Sequence, residues 1–231
     1  MVRKTVLITG SSKGLGRALA LHFSKNSYDV IIHGRNRKDL ENVKEEVLKN
    51  NVNCNVVKGD VSDIKTIEEL TNIAKIKDIF VLINNVGIAS KSLLQEVNDK
   101  EIDEVIEVNL SSIMKLTARI YQFFVSKKSG IIININSTGG ISCSEDGIIY
   151  CTSKHGLKGF TDSLRINAKK NNIKVVGVYP AGMWTTFHDR VGGRKNIETT
   201  MKPEEVAEII FDAIKHDSVH PDELLLTRRS K

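Results

Sequence analysis

Aromatic residues are scarce in this 231-residue chain, at 5% of the sequence. Proteins that bind single-stranded nucleic acid stack bases on aromatic side chains beside a basic stripe. Here 34 Lys and Arg and 28 Asp and Glu are scattered along the chain, so the formal charge of +6 describes a solvated, mildly basic surface. No nucleic-acid partner is expected. Cysteine is sparse too: Cys54, Cys143 and Cys151 are odd in number and contain no CxxC pair, which argues against a disulfide framework or a zinc site. No cluster of His, Asp and Glu has ligand spacing, so no metal is expected. No stretch approaches the ~18 consecutive apolar residues of a membrane span, and the apolar run near the N-terminus is too short for a signal peptide. The expectation is a soluble protein of the reducing cytoplasm, without a membrane partner.

What is present is a series of short apolar runs bounded by turn residues, at 5–8, 30–32, 55–57, 79–83, 131–135 and 175–179, with a last short run at 224–227. Segments with helical spacing lie between them: from the 11–16 turn to about residue 26, then 38–49, 63–74, one long helix over about 99–126, another over 149–171, and a late one from Pro203 to about 215. Pro203 followed by Glu204 and Glu205 suits a first helical turn, where proline lacks only a donor that is orphaned anyway. Short β-branched strands separated by helices need a parallel sheet covered on both faces. The predicted fold is α/β, a doubly wound Rossmann-type sheet of about seven parallel strands. With no internal repeat, low-complexity tract or linker, residues 1–231 read as one dinucleotide-binding and catalytic domain.

The first strand runs directly into Thr9-Gly10-Ser11-Ser12-Lys13-Gly14-Leu15-Gly16. Glycines in a strand-to-helix turn let the backbone approach a pyrophosphate, and the helix N-terminus offers it free N–H groups. Gly10, Ser12, Lys13, Gly14, Leu15 and Gly16 are therefore candidate cofactor ligands. NAD-binding domains often carry an acidic residue after the second strand to hold the adenosine ribose. That place here reads His33-Gly34-Arg35-Asn36. Without a carboxylate to repel it, a ribose phosphate is free to pair with Arg35, with Lys13 adding a second charge. Asn36 joins them as a candidate, and NADP(H) is expected over NAD(H).

Tyr150 and Lys154 stand four residues apart, so a helix puts them on one face. A phenol with a reference pKa of ~10 exchanges protons poorly near neutrality, but a neighbouring ammonium favours its phenolate. Tyr150 is thus a candidate general acid for ketone reduction and base for alcohol oxidation. Alone, the pair equally describes a core tyrosine beside a surface lysine.

Together these motifs resemble the short-chain dehydrogenase/reductase family over nearly the whole chain. The matches are Thr9-Gly10-xxx-Gly14-x-Gly16, Asp60-Val61, Asn84-Asn85-Val86-Gly87, Asn109, Ser137 thirteen positions before Tyr150, Tyr150-xxx-Lys154 and, more weakly, Pro180 to Thr185. The resemblance implies that Ser137 hydrogen-bonds the substrate oxygen, Tyr150 exchanges its proton, Lys154 holds the nicotinamide ribose, and Asn109 positions a water that connects Lys154 to solvent. It places Asp60 and Val61 against the adenine, Asn85 and Gly87 along the cofactor, and Pro180 and Thr185 near the carboxamide. It also implies a homodimer or homotetramer. Departures are Val86 where the family usually has Ala, and Ala181 where it usually has Gly. The end of the chain lacks the glycine-rich closing segment of ketoacyl reductases, which weakens assignment to that branch.

The segment 183–201, with Met183, Trp184, Phe187 and Gly192-Gly193, is the expected substrate loop, either a lid or an ordinary turn. As a lid it implies a small or medium apolar ketone or aldehyde, whereas Arg190 and Arg194 would suit a carboxylate or phosphate. Cys143 and His188 are expected to border the pocket without a recognisable partner. The expected function is NADPH-dependent interconversion of a carbonyl compound and its alcohol. Two alternatives stay open: a dinucleotide-binding sensor or scaffold without turnover, and an NADP-dependent dehydrogenase of hydroxy acids or sterols.

Overall fold

The computed structural model describes residues 3–143, 147–183, 185, 187, 192, 200–216 and 218–228. Seven strands, β1 (Thr5–Ile8), β2 (Asp29–Gly34), β3 (Cys54–Lys58), β4 (Val81–Asn84), β5 (Gly130–Ile135), β6 (Ile173–Pro180) and β7 (Glu223–Leu226), form one sheet in the order β3-β2-β1-β4-β5-β6-β7. Every neighbouring pair is parallel. The order reverses between β1 and β4, and in such a sheet ligands bind outside the carboxyl ends of the strands at that switch point.

Among the described residues seven α-helices cover the sheet: α1 (Gly14–Lys25), α2 (Arg37–Leu48), α3 (Ile64–Ile76), α4 (Asp99–Ile106), α5 (Ser112–Lys127), α6 (Ile148–Lys169) and α7 (Pro203–Ile214). Alternate strand residues point to opposite faces, which is why the strands are apolar without polar alternation. Val6 and Ile8 of β1, with Val81 and Ile83 of β4, pack under α1, α2 and α7. Leu7 and Leu82, between them in sequence, pack under α3 and α5 against Ile67, Leu70, Leu116 and Phe124. On the first face Phe23 is fully buried and meets Tyr28 and Phe211 edge to face, with centroids 5.2 and 5.1 Å away. This knot joins α1, the helix that starts at the glycine turn, to α7.

Local chemistry sets the helix starts. Asn36 accepts the Asp39 N–H to cap α2, Asp63 accepts that of Lys65 to cap α3, and Asn98 accepts that of Glu101 to cap α4. The long helix expected over 99–126 is present without a gap, and within it residues Glu107–Ser111 form a wider π turn between α4 and α5. Helical spacing continues through this region, so the sequence carries no stop signal. The extra residue in the turn swings Asn109 inward, where it is fully buried.

Truncating Phe23 to alanine removes the centre of the aromatic knot. Urea denaturation of Phe23→Ala is expected to show a loss of about 3–5 kcal/mol with an unchanged m-value.

Candidate active site

A cavity of about 590 Å³ opens at the carboxyl ends of β1, β2, β4, β5 and β6. Its walls bring together Gly10, Ser12, Lys13, Gly14, Leu15, Gly16, Arg35, Asp60, Val61, Asn85, Gly87, Ser137, Tyr150, Lys154, Pro180 and Thr185. Two expected residues stand outside this lining. Asn36 has its side-chain oxygen committed to the Asp39 N–H at 3.2 Å, and Asn109 lies behind the wall.

One end of the cavity is the glycine turn. Gly10 has φ +64°, and a Cβ on Gly16 would overlap the Gly10 carbonyl, so neither position tolerates a side chain. Asn85 closes the turn from β4 by donating from its side-chain nitrogen to the Thr9 and Gly10 carbonyls, both at 2.9 Å. Unlike α2, α3 and α4, helix α1 has no side-chain cap, and it has no acid in its first turn, as α2 and α4 do. Its leading N–H groups lack intrahelical acceptors and face the cavity. An uncapped helix start in a backbone cradle that a Cβ would fill fits the pyrophosphate of a dinucleotide.

Beside this turn, at the end of β2, Arg35 lies 3.6 Å from Asp60 in an exposed ion pair, and Lys13 lies 3.1 Å from Asp39. Such pairs contribute little, so both cations remain available to an incoming phosphate. Burial pushes the Asp60 carboxyl up, but hydrogen bonds from the Ser62 N–H and hydroxyl, with the charge of Arg35, bring it below its ordinary value.

At the other end stand Ser137, Tyr150 and Lys154. A Cβ on Gly139 would lie 3.2 Å from the Tyr150 ring and 3.5 Å from the Ser137 hydroxyl oxygen, so the two groups converge over a residue without a side chain. Lys154 is buried, donates from Nζ to the Ile135 carbonyl at 3.1 Å, and sits 5.9 Å from the centre of the Tyr150 ring. Burial lowers its pKa from 10.5 to about 8. Behind the wall, Asn109 accepts the Ile88 N–H at 2.8 Å and donates to the Ile88 carbonyl at 3.0 Å and the Ser153 hydroxyl at 3.1 Å. Ser153 in turn donates to the Tyr150 carbonyl at 2.7 Å. The amide thus ties the strap after β4 to the helix that carries Tyr150 and Lys154.

The segment expected to meet substrate begins and ends at one place, since the Met201 N–H donates to the Gly182 carbonyl at 3.1 Å. Met183, Phe187 and Thr185 line the cavity, and the Phe187 ring lies 5.9 Å from that of Tyr150. Trp184, His188, Arg190, Gly193 and Arg194 lie outside the described residues. Cys143 borders the cavity and is exposed. Among the described residues no group of His, Cys, Asp and Glu is arranged to hold a metal, and no helix is long and apolar enough to cross a membrane.

A sequence model of the short chain dehydrogenase family matches residues 4–195. The chain belongs to the short-chain dehydrogenase family. It is an NAD(P)-dependent oxidoreductase of small molecules. This dehydrogenase is 33% identical over 225 residues to the 3-oxoacyl-acyl-carrier-protein reductase FabG of Rickettsia typhi, covering 93% of this chain and 91% of that protein. It is 32% identical over 228 residues to the NADP-dependent 3-hydroxy acid dehydrogenase of Schizosaccharomyces pombe, covering 91% and 86%. Among solved structures, the alcohol dehydrogenase of Thermococcus sibiricus complexed with 5-hydroxy-NADP has the same fold, with a TM-score of 0.90, 23% identity and all of both chains covered.

One residue at the glycine-turn end of the cavity belongs to no motif. His33 lines the cavity, is almost wholly buried, and accepts the Gly10 N–H on Nδ1 at 3.4 Å. Its only sequence signal is a polar residue closing an apolar strand. Burial lowers the imidazole pKa from 6.5 to about 4, opposed by the Gly59 backbone and Asp60. Between those values the unfolded chain binds a proton that the folded chain refuses, so stability falls as pH drops from 6.5 toward 4. The full shift is worth about 3 kcal/mol. Denaturation midpoints at pH 7 and pH 4.5 are expected to differ less in His33→Asn than in the wild type.

Proposed function

We propose that this dehydrogenase is an NADPH-preferring carbonyl reductase that interconverts a ketone or aldehyde and its alcohol, with Tyr150 as the general acid and base. One observation carries the reading: Ser137, Tyr150 and Lys154 converge in the cavity whose opposite end is the uncapped start of α1. A sensor that bound a dinucleotide without turnover would have no use for a hydroxyl, a phenol and a buried ammonium at the far end.

The bound nicotinamide supplies the hydride. The first-turn N–H groups of α1 hold the pyrophosphate, and Asn85 keeps the turn in shape for it. Arg35 and Lys13 pair with the adenosine phosphate, which favours NADP(H). That preference is supported by the absence of a carboxylate directly after β2 and by the NADP-dependent relative in Schizosaccharomyces pombe. Asp60, Val61, Gly87, Pro180 and Thr185 line the remaining length of the cofactor.

In reduction, the Ser137 hydroxyl donates to the substrate oxygen as negative charge grows there, and the Tyr150 O–H delivers the proton. Lys154 supplies positive charge that favours the phenolate left behind. Asn109 has its amide engaged by Ile88 and Ser153, so its part is to hold wall and helix together. Met183 and Phe187 make the substrate end apolar and keep water away from the reacting atoms. Such a site suits a small or medium apolar carbonyl compound, and residues 1–231 act as one catalytic domain in the cytoplasm, in a homodimer or homotetramer. The name of the Schizosaccharomyces pombe relative favours a second reading, oxidation of a hydroxy acid, in which the exposed Lys91 at the cavity mouth meets the carboxylate.

NADPH oxidation across ketones, aldehydes, diketones and acyl thioesters is expected to show turnover in the wild type and none above background in Tyr150→Phe, with NADPH affinity retained. Retained turnover in the variant contradicts the assignment. Arg35→Ala is expected to lower kcat/KM with NADPH by roughly tenfold to a hundredfold, the worth of a charged hydrogen bond. Its kcat/KM with NADH should change little, and an equal loss with both cofactors removes the phosphate role.

A further inference from the structure

We propose that Asn136 is a positioning residue for the carbonyl chemistry, its side-chain amide spanning the gap between strand β5 and helix α6 and fixing Ser137 and Lys154 relative to one another. The proposal rests on the roles read above for Ser137, Tyr150 and Lys154.

Asn136 follows the last residue of β5, is 4% exposed at the cavity wall, and has both ends of its amide bonded within the protein. The oxygen accepts the Ser137 N–H at 3.0 Å, and the nitrogen donates to the Lys154 main-chain carbonyl at 3.1 Å. One residue earlier, the Ile135 carbonyl accepts the Lys154 ammonium at 3.1 Å. Lys154 is therefore held by both its ends from two consecutive residues of one strand terminus, and the next residue is the serine. Gly140 accommodates this clamp: a Cβ there would lie 2.6 Å from the Asn136 oxygen and 2.8 Å from the Lys154 carbonyl.

The demand on position 136 is specific. It must offer an acceptor to an N–H on one side and a donor to a carbonyl on the other, in a space bounded by Gly140. An amide of asparagine length does both. Aspartate, of nearly the same shape, keeps the acceptor but sets an oxygen against the Lys154 carbonyl and adds a charge near the ammonium. Alanine removes both bonds. Serine can remake one of them.

Ser137 stands on a strand terminus while Tyr150 and Lys154 stand on a helix, and the substrate oxygen must be met by the serine and tyrosine hydroxyls at once. A displacement of about 1 Å between reacting groups costs on the order of a hundredfold in rate. An amide bonded to both elements opposes their separation directly. Among the described residues Tyr150 is the ionisable side chain that faces Lys154, and Asn109 and Phe187 meet the same space around Gly87 without titrating.

The test compares Asn136→Ala, Asn136→Asp and Asn136→Ser with the wild type, and with Tyr150→Phe, on the ketone that the wild type reduces fastest with NADPH. Expected for Asn136→Ala is a fall in kcat of tenfold or more, with NADPH affinity within about twofold, and partial recovery in Asn136→Ser. In Asn136→Asp the pH profile of kcat/KM is expected to move upward, because the added carboxylate favours the charged lysine. A second readout needs no turnover: in isotope-labelled protein the Lys154 side-chain NMR titration midpoint should rise in Asn136→Asp. Wild-type kcat in the alanine variant, or an unmoved pH profile and Lys154 titration with only the melting temperature lowered, overturns the proposal. Activity surviving in Tyr150→Phe instead strikes the proton-transfer reading, and the Lys154 titration then decides the clamp by itself.

Discussion

Asn84 on β4 and Asn134 on β5 face each other across the centre of the sheet with no access to water, and the Asn84 side-chain nitrogen donates to the Asn134 oxygen at 2.8 Å. The same nitrogen donates to Thr117 of α5 at 2.8 Å, and the Asn134 nitrogen donates to Thr161 of α6 at 2.9 Å. Buried amides of this kind are costly unless partnered, so they admit one register and penalise the others. A slip of one residue between β4 and β5 would part the Asn84 nitrogen from the Asn134 oxygen and leave that oxygen as bare as the Asn84 oxygen, which has no partner among the described residues. The ladder lies one layer beneath the reacting groups. It fixes the end of β4, from which Asn85 closes the glycine turn, and the end of β5, from which Ile135 and Ser137 meet the catalytic helix.

The site above this ladder is built from groups whose surroundings disagree with their ordinary chemistry. Lys154 is an ammonium with almost no water, held chiefly by a main-chain carbonyl, and its proton is correspondingly loose. His33 is kept neutral by burial, which preserves a lone pair for the glycine turn. Both effects come from the same source, the closeness of the two strand termini to the packed interior of the sheet. The exposed cations Lys13 and Arg35 stand at the opposite extreme, loosely paired and screened. Charge is thus buried at the Tyr150 end of the cavity and exposed at the glycine-turn end.

Much of this was legible in the sequence because it is encoded locally. The glycine turn, the Tyr150–Lys154 spacing and the apolar runs each declare themselves within a few residues, and the strand boundaries fall within about three residues of those read from turn signals. The features that escaped are made by tertiary contact. Asn134 interrupts an apolar strand and Asn136 follows it, each resembling a polar lapse, and only the approach of α6 gives each side-chain nitrogen its acceptor. The π turn at Asn109 was invisible because helical periodicity runs through it unbroken, the decisive contact being with Ile88 far away in sequence. Asn36 read as a cofactor residue from its neighbours in the chain, while its geometry makes it a helix cap.

The meeting of Gly182 and Met201 bears on how the segment between them can be inherited. A loop whose two ends are pinned together by the surrounding fold can exchange its interior without asking anything of the strand before it or the helix after it, and doubling its length adds only about 0.6 kcal/mol of closure entropy. Gly182 hangs from the end of β6 and Met201 leads directly into α7, which the Phe23 aromatic knot already anchors. The residues between these two ends are therefore the part of the chain most open to change in a lineage, while Met183 and Met201 at the ends stay packed against the core of the sheet.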